Sequence, residues 1–130
     1  MATAPPQVLG SRGEIAAVSL FRKLGWKILD TRFRNRFGEI DIIAQDGSVT
    51  VFTEVKTRTS TSDGQPFEAV DRRRRQRLTR AALAWLKFHN KLNQPARFDI
   101  ISIVWPQDSK EPQITHYQNA FQAASAGQMF

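Results

Sequence analysis

Apolar and polar positions alternate along this chain in rhythms that change at identifiable breaks. Ile15, Val18, Phe21 and Leu24 recur at helical spacing and stop at Gly25, and Ser11-Arg-Gly-Glu14 ahead of them has the Ser-x-x-Glu form of a capping box. A helix is predicted over 12–24. From Trp26 to Phe37 the pattern is extended, with Arg32, Arg34 and Arg36 alternating against Thr31, Phe33, Asn35 and Phe37, which puts three guanidinium groups on one side of a strand. Two apolar runs follow, on either side of Asp46-Gly47, a strong short-range hairpin signal. Residues 59–66, rich in Thr, Ser, Asp and Gly, read as a mobile loop. Asp71 then caps a second helix whose apolar stripe is Leu78, Ala81, Ala82, Trp85 and Leu86, broken after Asn90 by Asn93-Gln-Pro95. Phe98 to Trp105 is apolar and β-branched enough for a buried strand, and Gln113 to Tyr117 reads as a short edge strand. The order is helix, three strands, helix, one or two strands: an α/β or α+β domain with a central mixed β-sheet and a hairpin at its core, flanked by helices.

Four charged residues interrupt the two hairpin runs: Glu39 and Asp41 in the first, Glu54 and Lys56 in the second. Charges are depleted from strand interiors, and burying them costs several kcal/mol unless they are paired or bind a metal. A two-residue turn at Asp46-Gly47 pairs Gln45 with Ser48, sets Glu39 opposite Glu54 and makes Asp41 and Glu54 diagonal neighbours, roughly 7 to 8 Å apart at the backbone. Period-two alternation then sends all four side chains from one face. Like charges in register are destabilising unless a cation lies between them. Lys56 is one such cation and a divalent metal is another. Carboxylates on one sheet face with a lysine two residues beyond the last suit a metal-dependent phosphodiesterase site: hard oxygen ligands hold Mg²⁺, which polarises the phosphoryl oxygen and acidifies a bound water, while Lys56 stabilises developing charge. The plainer alternative is a salt-bridge cluster on a solvated face.

Composition narrows the classes. At 130 residues the chain suits one domain, expected over 10–122 between a loose tail at 1–9 and a frayed tail at 123–130. With 41% hydrophobic and 24% charged residues it is neither disordered nor membrane-like, and no apolar run approaches the roughly 20 residues that span a bilayer. The first residues carry no apolar signal-peptide core, so a cytoplasmic protein with no membrane partner is expected. The absence of cysteine excludes disulfides, thiolate nucleophiles and Cys-based zinc sites. A net charge of +7 points to nucleic acid as partner.

That charge is concentrated in Arg72, Arg73, Arg74, Arg75, Arg77 and Arg80, six arginines within nine residues at the start of the second helix, where the macrodipole already disfavours cations. A phosphate relieves both repulsions, so these residues, with Arg58, are read as a nucleic-acid backbone contact that carries affinity without base readout. Arg32, Arg34 and Arg36 extend the patch. His89 is read as a helix-end cap, Asp99 as a paired structural residue, His116 as structural, and Trp26, Trp85 and Trp105 as packing.

Gly38-Glu-Ile-Asp41 followed after a hairpin by Glu54-Val-Lys56 resembles the split signature of the PD-(D/E)XK nuclease superfamily, the fold of restriction endonucleases and archaeal Holliday-junction resolvases. Gly10-Ser-Arg-Gly-Glu14, Gly38-Glu-Ile-Asp-Ile-Ile-Ala44, Val51-Phe-Thr-Glu-Val-Lys-Thr-Arg58 and Arg97-Phe-Asp-Ile100 are together similar to the YraN-like family of small bacterial proteins, over roughly Leu9 to Phe121. The resemblance implies a restriction-endonuclease-like domain with Asp41 and Glu54 as ligands to Mg²⁺ or Mn²⁺, Lys56 as the catalytic lysine and Glu14 as the helix glutamate of the site. Glu14 is equally accounted for as the capping-box residue. The family's second-helix lysine is matched here by Arg74, which keeps the charge but cannot exchange a proton. The activity implied is cleavage of DNA, with branched or damaged DNA among the substrates it suggests and a homodimer as the assembly it suggests; the alternative is a non-catalytic nucleic-acid-binding module on the same fold.

Overall fold

The computed structural model describes residues 6–60, 70–106 and 108–123. Two helices and five strands follow in the order α1 (Pro6–Lys23), β1 (Lys27–Asn35), β2 (Gly38–Asp46), β3 (Val49–Arg58), α2 (Arg72–Phe88), β4 (Ala96–Val104) and β5 (Gln113–Phe121). The strands form one sheet in the order β1-β2-β3-β4-β5, parallel only between β3 and β4, where α2 makes the crossover. This is the mixed α/β layout that the hydrophobic pattern predicts. The loop read over 59–66 falls largely outside the described residues, as do 1–5 and 124–130.

Each helix covers one face. On α2 the predicted stripe Leu78, Ala81, Ala82, Trp85 and Leu86 is buried against Ile43, Phe52, Phe98 and Ile100. On α1 the prediction is corrected twice. The helix begins at Pro6, a residue suited to a first turn because its missing N–H has no intrahelical partner to lose. Ser11 and Glu14 therefore lie inside it and form no capping box, and the tail assigned to 1–9 is helical from residue 6. The buried face runs through Gly13, Ala17 and Phe21 rather than Ile15 and Leu24, which are 69% and 49% exposed. Small residues win this face because the helix sits close to β3: a β-carbon on Gly13 would fall 1.9 Å from Thr57 Oγ1. Phe21, Ala17 and Trp26 pack on Ile42, Ala44, Val51, Ile101 and Ile103. Gly25, at φ 84°, ends the helix as predicted, with Trp26 N–H donating to Phe21 O and Gly25 N–H to Arg22 O.

The hairpin register also differs from expectation. Asp46 pairs with Val49 and Ile42 with Thr53, so the two-residue loop is Gly47-Ser48, not Asp46-Gly47. Gly47 at φ 60° occupies the first loop position, where a type II′ hairpin requires glycine, and Gln45 Nε2 donates to its carbonyl. The shift changes each side chain's neighbours and keeps Glu54 and Lys56 on one face, but alternation fails at Asp41: Ile40 and Ile43 both pack beneath α2 and Ile42 beneath α1, so the single face predicted for Glu39, Asp41, Glu54 and Lys56 does not hold across Asp41. Continued past Ile42 and Thr53, this register sets Asp41 opposite Glu54 and Glu39 opposite Lys56, so no Glu39–Glu54 confrontation exists. Glu39 is paired instead with Arg34 of β1 at 3.0 Å.

Of the three guanidinium groups of the β1 segment, Arg32 and Arg34 border one recess with Glu14 and Glu39, and Arg36 departs from them. Arg32 has φ 53°, Arg34 binds Glu39, and Arg36 lies past the end of β1 with its guanidinium over the Phe37 ring at 4.8 Å. At the other edge β5 runs four residues beyond the predicted edge strand, carried by a ladder irregularity near Asp99, by Asn119 at φ 50° and by Phe121 stacked on Phe98 at 4.9 Å.

On the α1 side, Asp99 is wholly buried and accepts from Arg97 Nε at 3.0 Å and Asn119 N–H at 2.9 Å, with His116 Nε2 at 2.7 Å. Burial pushes its carboxyl up, but the contacts from His116, Arg97 and Asn119 outweigh it and hold Asp99 below its ordinary value. Asp99 is thus the paired structural residue that the sequence predicts. His89 is the α2 C-cap, its Nδ1 2.8 Å from Trp85 O.

Two stability outcomes follow from this packing. Asp99→Ala should cost about 3 kcal/mol in urea unfolding, because it removes the acceptor shared by Arg97, His116 and the Asn119 N–H and leaves Asp46 as the remaining carboxylate partner of Arg97. The contribution lost is complete above an unfolded carboxyl pKa of about 3.9 and disappears as pH falls through the depressed folded value, so the variant's stability should vary less with acid than the parent's. Gly13→Ala should cost about 1–3 kcal/mol by overpacking, and Thr57→Ala in the same chain should restore part of it; an unchanged urea midpoint in Gly13→Ala would contradict the close approach of α1.

Candidate active site

Beyond Ile42 and Thr53 the β2–β3 ladder stops, and a side chain takes over its role. Asp41 Oδ2 accepts the Val55 N–H at 2.7 Å, where a backbone carbonyl of β2 would otherwise stand. The two strands splay at this point. Ile40 and Ile42, two residues apart, consequently enter opposite cores, Ile40 beneath α2 and Ile42 beneath α1. Asp41 is pinned where the strands separate, next to Glu54.

The two carboxyl groups are in contact. Burial, then a hydrogen bond to Glu54 and the charge of Glu54, push Asp41 up to about 8, against the downward pull of the Val55 N–H, with Glu14 adding a smaller upward push. Two carboxylates this close favour either a proton or a cation between them. Glu54 meets Arg74 on its other side, Arg74 Nε and Nη2 both lying 2.5 Å from Glu54 Oε2. Lys56 is exposed at the rim of a recess of about 280 Å³ that it shares with Asp41, Glu54, Val70 and Arg74.

Asp41 also borders a second recess, of about 420 Å³, on the α1 side with Glu14, Arg32, Arg34 and Glu39. Glu14 faces this recess but is held by Arg32, whose Nε donates to Glu14 Oε2 at 2.9 Å and whose Nη2 donates to Ser11 Oγ at 2.7 Å. So Asp41, Glu54 and Lys56 converge, while Glu14 approaches from the opposite side and is already paired. Among the described residues no three carboxylate or imidazole groups gather into a cluster able to hold a metal by themselves. The Asp41–Glu54 pair nevertheless fits a hard divalent ion that keeps several waters: both donors are oxygen and they are adjacent on one recess.

The arginine run divides by role. Arg72, Arg73 and Arg77 are exposed on the first turns of α2, and Arg77 lines a further recess of about 290 Å³ with Asp41, Glu39 and Arg74. Arg74 is occupied by Glu54. Arg75 donates from Nε to Val70 O at 3.0 Å and lies over the Phe121 ring at 5.5 Å, a packing role. Arg58 is half-buried at the end of β3, its carbonyl accepting from Trp105 N–H. Asp71 caps α2 as predicted, accepting the Arg74 N–H at 2.8 Å and thereby setting the base of the Arg74 side chain. The Arg32–Glu14 and Arg74–Glu54 pairings are absent from the sequence reading. The cap at Asp71 places Arg74 at the third helical position and is a usable signal for it; nothing in the sequence marks the left-handed backbone of Arg32.

A family model described as uncharacterised protein family UPF0102 matches residues 13–103. A UPF0102 protein of Geobacter metallireducens is 47% identical over 116 residues, covering 89% of this chain and 93% of the relative. One from Geobacter sulfurreducens is 43% identical over 119 residues, covering 91% of each chain. One from Rhodopirellula baltica is 39% identical over 125 residues, covering 94% of this chain and 75% of the relative. The match runs from α1 into β4 and so contains Glu14, Asp41, Glu54, Lys56 and the arginine run.

The raised Asp41 carboxyl has a stability signature. Its folded value stands above the ordinary 3.8, so in chelator the penalty for ionising it is absent below 3.8 and complete above about 8. Asp41→Asn cannot ionise, and its melting temperature should fall less than the parent's as pH rises through that window. Superimposable pH profiles of melting temperature would show that the two carboxyls are not in contact.

Proposed function

The chain belongs to the uncharacterised protein family UPF0102, and from that premise we propose that it is a divalent-metal-dependent endonuclease-like protein acting on DNA phosphodiester bonds, of the PD-(D/E)XK, Holliday-junction-resolvase-like kind. The observation that carries this reading is the contact between Asp41 and Glu54 at the splayed end of β2 and β3, with Lys56 on the rim of the same recess. Two adjacent carboxylates are an unfavourable arrangement for a purely structural pair. Asp41 and Glu54 would hold Mg²⁺ or Mn²⁺, which would supply charge neutralisation at the scissile phosphate and lower the pKa of an attacking water. Lys56, exposed and without a carboxylate partner among the described residues, donates hydrogen bonds to the phosphate oxygens as charge builds on them.

Substrate binding falls to the basic surface beside this recess. Arg72, Arg73 and Arg77 are exposed next to it and meet flanking phosphates, a contact that orients the strand without reading bases. The net charge of +7 makes association steeply salt-dependent.

A second reading, a nucleic-acid-binding module on the same fold without catalysis, is favoured by one observation. Glu54 and Glu14 are each already paired with an arginine, Arg74 and Arg32. In that case Arg72 and Arg73 dominate binding, and chelator leaves it unchanged.

Incubation with branched and linear DNA in Mn²⁺ decides between the two. Cleavage that falls by about 100-fold or more in Lys56→Ala, with binding retained, is the expected result for the enzyme. Equal cleavage by the parent and Lys56→Ala removes the assignment of the lysine, and binding without any cleavage, indifferent to chelator, selects the binding module.

A further inference from the structure

Arg74 is attached to the candidate metal site in an unusual way. Both Nε and Nη2 approach a single oxygen, Glu54 Oε2, at 2.5 Å, and the Glu54 side chain is only 11% exposed while that of Arg74 is 47% exposed. The acid is fixed and the base has room to move. The backbone of Arg74 is anchored by the Asp71 cap, so movement is confined to the side chain. That side chain lines two recesses, one with Glu54 and Lys56 and one with Glu39 and Arg77, and Asp41 borders both. A guanidinium can therefore leave Glu54 without leaving the cleft.

Charge decides what would make it leave. With Arg74 on Glu54, the charge of that carboxylate is balanced. A divalent cation on the same two carboxylates faces a guanidinium across one oxygen, and like charges this close repel strongly where water is scarce. A lysine could yield by losing its proton, but arginine stays charged and must be displaced instead. A phosphate group relieves the conflict, because it accepts the guanidinium fork and neutralises the added positive charge.

We propose that Arg74 is a resident counter-cation that couples the two ligands of this cleft: it occupies Glu54 until a phosphate group draws it away, so that divalent metal and phosphodiester bind cooperatively. The inference rests on the reading of Asp41 and Glu54 as a metal site. Arg74 is then a positioning residue, acting on the metal through Glu54 and on the substrate through its fork. Metal bound without substrate is disfavoured, which limits idle chemistry at an exposed recess.

Calorimetric titration of the full chain with Mn²⁺, alone and with a short phosphorothioate oligothymidylate, tests the coupling, with the oligonucleotide–metal heat subtracted. The oligonucleotide should tighten Mn²⁺ binding to the parent by at least about fivefold, within the usual range of such couplings. Arg74→Gln should bind Mn²⁺ alone more tightly than the parent, with little further gain from the oligonucleotide, and Arg74→Lys should retain part of the coupling. Thermal melts establish that each variant is folded. A merely structural Arg74 gives the opposite sign, since releasing Glu54 would weaken metal binding. If parent and Arg74→Gln bind Mn²⁺ equally and respond equally to the oligonucleotide, the coupling role is overturned and the metal site stands. If none of the proteins takes up Mn²⁺ under either condition, the metal reading fails and the coupling falls with it.

Discussion

One hydrogen bond organises the functional end of this molecule: the Val55 N–H donating to the Asp41 carboxylate. Because a side chain rather than a carbonyl receives that N–H, β2 and β3 part company while remaining tied. The parting opens recesses on both sides of Asp41 and sends Ile40 and Ile42 into different cores. The tie fixes one carboxyl oxygen and keeps the group beside Glu54. A sheet that continued its ladder through this point would have neither a cleft nor a reason for two acids to meet.

Two strand aspartates, Asp41 and Asp99, are shifted in opposite directions, and the contrast between them is instructive. Asp99 is surrounded by Arg97, the Asn119 N–H and His116, and is held below its ordinary value despite burial. Asp41 has one N–H in its favour and two carboxylates, Glu54 and Glu14, against it, and is driven up to about 8. Both sit in apolar strands, so burial alone does not separate them. The identity of the nearest charged groups does. Asp99 contributes to folding, while Asp41 stores a repulsion that a bound cation would release, the behaviour expected where local rules are broken for function.

Much of this was legible in the residues. Alternation places Glu54 and Lys56 together, but it does not foresee the break at Asp41, where Ile40 and Ile42 enter different cores and the predicted common face of all four charged residues is lost. Nor does the pattern fix the pairing. Asp46-Gly47 and Gly47-Ser48 are both acceptable two-residue loops, and only the backbone at Gly47 decides between them. The consequence was large, since the acid facing Glu54 is Asp41 and not Glu39. The α1 face was misread for a related reason: Ile15 and Leu24 have the spacing of a core stripe, but the closeness of Gly13 to Thr57 rotates the helix so that small residues face the sheet. The pairings of Arg32 and Arg74 join residues 18 and 20 positions apart across different elements, a separation that local pattern does not encode.

The charge of the protein is less available than its composition implies. Of the arginines grouped at the start of α2, Arg74 neutralises Glu54 and Arg75 locks the helix to Val70 and Phe121, while Arg32 and Arg34 on β1 are matched to Glu14 and Glu39. Arg72, Arg73, Arg77 and Arg80 are exposed and form no ion pair among the described residues. Positive charge thus exists in two populations, one without a carboxylate partner and able to collect phosphate at long range, the other holding the acids of the cleft. In the proposed function the first would govern encounter and its salt dependence. The second would govern what happens at Asp41 and Glu54 on arrival, because an arginine that turned from a carboxylate to a phosphate would leave an acid in need of another cation.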